Sequence, residues 1–108
     1  MTQPNIHLSS ERFVVHIDPD IEEIVPIFLQ NRHDDVESIK KALQQGDFET
    51  ILLLGHSMKG AGGGYGFDGI TDIGHYLEQA AKERNSEMVR KQVECLAAYL
   101  ERVVVVCE

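Results

Sequence analysis

His56, Lys59 and Gly60 have the residue types and spacing best suited to chemistry in this chain. They lie within Gly55-His56-Ser57-Met58-Lys59-Gly60, in an otherwise apolar, helix-like stretch. An exposed imidazole is a nucleophile near neutral pH. A lysine one helical turn away can neutralise a phosphoryl group placed on that imidazole. A glycine beside them lets another protein's backbone come close. This is chemistry done jointly with a partner, not inside a pocket of the chain itself.

A helical wheel at about 100° per residue separates two faces of this segment. Ile51, Leu54, Gly55, Met58, Ala61, Gly62 and Tyr65 spread over roughly 120° on the side away from His56 and form a core stripe. His56, Lys59, Gly60 and Gly63 cluster on the opposite side, so the imidazole is expected to point outward. Leu52 and Leu53 flank the histidine one turn earlier. They could form an apolar docking ring around it, or they could pack under another helix. Gly60, Gly62, Gly63 and Gly64 each cost about 1 kcal/mol relative to Ala in a helix interior. Such a run implies close approach of a neighbouring helix or a partner, or else a helix that ends near Gly60.

Helices are needed to position this face, and the chain supplies them. Asp18-Pro19 reads as an N-cap followed by a first-turn proline, with Glu22 and Glu23 at the positive helix end. Ile21, Ile24, Val25, Phe28 and Leu29 then recur at helical spacing. Pro26 falls inside that pattern and is expected to kink it or hold it to a turn or two. A second segment, residues 34–45, places Val36, Ile39, Ala42 and Leu43 on one face and ends at Gly46-Asp47. The His56 helix is expected from Phe48 to about Gly63. Another runs from about Asp68 to Arg84 with Ile70, Ile73, Leu77, Ala80 and Ala81 inward. The last runs from Ser86 to about Arg102 with Val89, Val93, Leu96, Ala97 and Leu100 inward. Short connections between them imply an antiparallel bundle.

The two ends read differently. Residues 1–11 are expected to form a loose arm, and residues 12–108 one helical domain. Arg12-Phe13-Val14-Val15-His16-Ile17 and Arg102-Val103-Val104-Val105-Val106-Cys107 are rich in β-branched residues and read as short strands. Each alone would be a bare edge, so the two are expected to pair. The alternative is a last helix that continues through residue 105, with the first run as an extended arm.

Composition narrows the function classes. With 108 residues the chain is one domain, and 43% apolar residues with no Trp imply a mainly aliphatic core. A net charge of −8 disfavours nucleic acid and anionic membranes as partners. Cys95 and Cys107 are too few for a disulfide framework and lack metal-ligand spacing. They read as reduced thiols, and with no apolar signal core or spanning segment the chain is expected to be a cytoplasmic monomer.

Other patterns carry less. Gly64-x-Gly66-x-x-Gly69 fits the dinucleotide fingerprint literally, but it follows a helix instead of a strand. Lys59-Gly60 reverses the order found in a phosphate-binding loop, so no ATP site is expected. His33-Asp34-Asp35 reads as a solvated turn, because adjacent helical residues do not face one another. His75 and Glu78 are one turn apart, but a metal site would need further ligands that the sequence does not identify. His7 and His16 carry no spacing signal. Tyr65 and Phe67 read as packing at a helix junction. No metal or cofactor is expected on this chain.

The pattern His56-x-x-Lys59-Gly60-x-x-x-x-x-Gly66 resembles the signature of histidine-containing phosphotransfer (HPt) domains of two-component signalling. The resemblance takes in the Phe28-Leu29 helix, Gly46-Asp47-Phe48 and Leu77-Glu78-Gln79-Ala80-Ala81, and covers roughly residues 19–102. It implies an all-α fold: an up-down four-helix bundle with an extra N-terminal helix. The glycine-rich Gly62-Gly63-Gly64 run and the terminal β runs depart from the basic pattern. It also implies a phosphorelay step in which His56 takes a phosphoryl group from a receiver-domain phospho-aspartate, or through a histidine kinase relay, and passes it to another receiver. Lys59 would offset the phosphoryl charge and Gly60 would leave room for the receiver, with Leu52, Leu53 and Gly63 as docking residues. The partners implied are response-regulator receivers, which bring their own Mg²⁺, and a hybrid sensor kinase. The competing reading is a non-catalytic module that binds a receiver or kinase without carrying phosphate.

Overall fold

The computed structural model of the chain describes residues 12–107; the arm expected over residues 1–11 lies outside them. Four helices follow one another: α1 (Val25–Gln44), α2 (Phe48–Gly64), α3 (Asp68–Lys82) and α4 (Ser86–Arg102). Two short strands bracket them, β1 (Phe13–Ile17) and β2 (Val103–Cys107). The strands pair in parallel, Phe13 opposite Val103 through Ile17 opposite Cys107. The two ends of the domain therefore do pair, and α4 stops at Arg102 where Val103 turns to extended backbone. No helix among the described residues is long and apolar enough to cross a membrane.

The N-terminal helix is reduced to a single 3₁₀ turn, Pro19–Ile21. Asp18 caps it as expected, accepting the Asp20 amide at 2.8 Å. Pro26 does not kink the next helix. It sits in the first turn of α1, where the missing N–H would have had no acceptor within the helix, and α1 runs unbroken to Gln44. The segment expected to begin at residue 34 is thus the second half of one long helix.

Turn chemistry sets the remaining boundaries. Gly46 has φ +68°, a left-handed conformation that suits glycine after a helix end. Asp47 then caps α2, accepting from the Thr50 amide at 3.1 Å and the Thr50 hydroxyl at 2.6 Å. These bonds hold its carboxyl below the usual carboxylate range, the hydroxyl contributing most. The third helix ends at Lys82, not Arg84, because Arg84 has turned to φ +53° and Asn85 caps α4 through the Met88 amide at 3.1 Å.

The core is mainly aliphatic and contains no buried polar or charged residue among those described. Ile39, Ile51, Met58, Phe67, Ile70, Leu77, Val89 and Leu96 are fully enclosed. Phe28 joins α1 to the α2–α3 junction, with ring centroids 4.8 Å from Tyr65 and 5.2 Å from Phe67. The α4 stripe is broader than its periodicity suggests. Ala98 and Tyr99 are buried while Ala97 is only half-buried, because β1 covers this side and Phe13 meets Tyr99 at 5.1 Å.

Candidate functional site

α2 and α3 approach so closely that glycine is required on both. A Cβ on Gly55 would lie 2.8 Å from the Glu78 amide nitrogen and 2.9 Å from the Gly74 carbonyl oxygen. A Cβ on Gly74 would lie 2.5 Å from the Lys59 amide nitrogen. Backbone atoms cannot yield to a methyl group at such distances, so the pair fixes how the two helices sit. Gly62 repeats the contact further along, against Thr71.

This register brings Glu78 of α3 under the outward face of α2. His56 projects from α2 with its side chain 68% exposed, as the wheel predicts. Its Nδ1 lies 3.1 Å from Glu78 Oε2. Lys59, one turn on, places Nζ 2.7 Å from Glu78 Oε1. One half-buried carboxylate therefore holds both residues, one on each oxygen.

The electrostatics assign the roles. Lys59 lowers the Glu78 carboxyl below its ordinary value, and His56 adds to the effect. An ionised carboxylate only accepts hydrogen bonds, so the imidazole must donate through Nδ1–H. In the neutral ring the other nitrogen, Nε2, then carries the lone pair. Glu78 thus orients the ring, selects its tautomer and anchors the neighbouring cation.

The other expected site residues separate into two groups. Gly60 is exposed, and a Cβ on it would meet nothing within 4 Å. It therefore serves no packing contact within the described fold. Gly63 is also exposed, 3.5 Å from the Thr71 hydroxyl by the same measure. Leu53 stands out at 61% exposure, whereas Leu52 is half-buried and packs against the core. Only one of the two leucines is thus fully available at the surface. Ile27 of α1 is 63% exposed, and the Phe28–Tyr65 contact sets this end of α1 beside the end of α2.

Glu78 is the residue of this cluster that sequence reasoning does not single out as a partner of His56. Its spacing along the helix points to His75, whereas in the structure it turns to α2. No group of three His, Cys, Asp or Glu residues among those described could hold a metal ion. The signal that would have found Glu78 is the glycine pair, Gly55 and Gly74, which sets the helix register.

Searches of curated proteins and of solved structures gave no match. The sequence model of one family, the Hpt domain, matches residues 23–105. That match spans all four helices, both site residues on α2 and the glutamate that holds them, and the chain therefore belongs to the Hpt domain family.

Proposed function

We propose that this chain carries a phosphoryl group on His56 Nε2 between receiver domains. The family implies histidine phosphotransfer in phosphorelays. The observation that carries the reading to these residues is the double grip of Glu78 on His56 and Lys59 beneath an open helix face.

The lone pair of Nε2 attacks the phosphorus of a receiver's aspartyl phosphate in line. The N–P bond forms as the O–P bond breaks, and the aspartate leaves as carboxylate. The Nδ1 proton stays on the ring, shared with Glu78, and offsets the positive charge that develops as Nε2 bonds phosphorus. Lys59 can release Glu78 and reach a phosphoryl oxygen, because its ammonium lies on a flexible stem and is more than a third exposed. Mg²⁺ held by the receiver would neutralise phosphoryl charge during transfer. Phosphoryl transfer depends mainly on positioning and electrostatics, so a short helix face suffices. The bare backbone at Gly60 lets the receiver approach, with Leu53, Gly63 and Ile27 around it. Transfer to a second receiver is the same step reversed.

The test is transfer from a panel of labelled phospho-receivers, with Mg²⁺, to wild type and His56→Gln. Acid-labile, base-stable label on the wild type alone is the expected result. Label retained by His56→Gln would refute the assignment. Receiver binding with no label would favour a non-catalytic adaptor.

A further inference from the structure

A second surface, away from His56, has the features of a peptide-binding edge. Among the described residues β1 bonds β2 along one edge only, and an open groove of about 760 Å³ runs beside it. Arg12 and four consecutive β1 residues, Phe13 to His16, line the groove, and no β2 residue does. The groove therefore lies on the side of β1 away from its partner strand. In a parallel pair, alternate residues of each strand direct N–H and C=O away from the partner, here toward the groove.

The opposite wall has matching features. Asp68, Asp72 and Tyr76 follow one another at successive turns of α3 and all line the groove. Both aspartates are exposed, and among the described residues neither has a cation within salt-bridge distance. Tyr76 is 50% exposed. Tyr99 and Phe13, in contact at 5.1 Å, give an aromatic floor. Gly69 allows that floor, since a Cβ there would lie 2.6 Å from the Tyr99 ring.

We propose that this groove binds an extended segment of a partner protein, one that alternates apolar residues with lysine or arginine and adds as a strand to β1. Strand addition supplies main-chain hydrogen bonds at a sheet edge, while alternate side chains select the sequence. Apolar side chains would rest on Tyr99 and Phe13. The cations between them would face Asp68 and Asp72, with the Tyr76 ring available for cation–π contact. This surface is separate from the phosphotransfer face and does not depend on the proposed function.

The probe is an acetylated, amidated octapeptide of alternating Lys and Val, titrated into ¹⁵N-labelled protein. Amide shifts are expected along β1 and on the facing turns of α3 and α4. The Asp68→Asn/Asp72→Asn variant should weaken binding about fivefold, the scale of two exposed ion pairs. The same peptide N-methylated at alternate residues should bind at least tenfold more weakly, as should a Glu/Val octapeptide. No β1 shifts at about millimolar peptide would overturn the proposal. So would shifts centred on His56, or binding insensitive to both N-methylation and the aspartate variant. Transfer to His56 should be unchanged in the aspartate variant.

Discussion

Gly74 of α3 lies against the backbone of Lys59 in α2, with room for a hydrogen and nothing larger. That contact, with its counterpart at Gly55, decides that Glu78 reaches both His56 and Lys59. The site thus depends on two residues that contribute no functional group.

Gly74→Ala tests this dependence. Alanine improves helix propensity by about 1 kcal/mol. Forcing a methyl group against backbone nitrogen costs typically 1–3 kcal/mol or more, so the net effect is destabilising. Denaturant unfolding should show a lower midpoint, and the Glu78 contacts should loosen in the folded fraction. A variant as stable as wild type, with its ¹⁵N spectrum unchanged around Lys59, would contradict the close packing.

Glu78→Gln should alter the imidazole without removing it. The amide cannot replace a carboxylate shared by a lysine and a ring N–H, so the Nδ1–H tautomer loses its preference. Long-range ¹H–¹⁵N spectra read this directly. The pH dependence has a defined sign. Lys59 and His56 lower the Glu78 carboxyl below its ordinary 4.5, so its stabilising contribution is present above that value. It is lost as pH falls through the lowered value. Wild type should therefore lose stability more steeply than Glu78→Gln below about pH 4.5.

Lys59→Ala separates rate from fold. Lys59 is partly exposed, so losing its pair with Glu78 should change stability by less than about 1 kcal/mol. Transfer should slow by one to two orders of magnitude, the scale of one hydrogen bond to a charged group. Single-turnover transfer from a phospho-receiver measures this. An unchanged rate would remove Lys59 from the mechanism.

Tyr99 gives the fold an alkaline limit. Burial, with Asp68 nearby, pushes its phenol up to about 12 from 10. The folded state therefore retains a proton that the unfolded chain releases, and stability falls as pH rises from about 10 to 12. Tyr99→Phe should flatten this decline. Ultraviolet phenolate titration should show one tyrosine ionising late in wild type and absent from the variant.

Much of this arrangement was legible in the sequence, for identifiable reasons. The outward placement of His56 followed from the apolar stripe at Ile51, Gly55, Met58 and Gly62, all buried. The caps at Asp18, Asp47 and Asn85 act through side-chain bonds local in sequence, and the expected starts at the first two follow from them. Of the two outcomes expected at Pro26, the structure has the second: the helix begun at Pro19 is held to one turn, and Pro26 then sits in the first turn of α1. Only the position of the helix start, fixed by packing of Val25 and Phe28, decides between them. The pairing of β1 with β2 was expected, but its parallel direction depends on how the bundle carries the chain between the ends. Glu78 and His56 are 22 residues apart and meet only through helix register, so local spacing does not join them and the Gly55–Gly74 pair is the one sequence signal that does.

Gly60→Ala makes the sharpest distinction between fold and function. Among the described residues there is no packing reason for glycine here, since an added Cβ would meet nothing within 4 Å. Gly60 lies inside α2, so alanine should raise stability by about 0.5–1 kcal/mol through helix propensity alone. Gly74→Ala should move stability the other way, although the chemical change is the same. If the receiver's backbone approaches Gly60 during transfer, the methyl group instead meets the partner. Overpacking of 1–3 kcal/mol at that contact would slow transfer roughly 5- to 150-fold. A more stable protein that transfers phosphate more slowly is thus the expected result, read by denaturant unfolding and single-turnover transfer on one preparation. Higher stability with an undiminished rate would show that the partner does not come close at Gly60, and would move the docking contact toward Leu53.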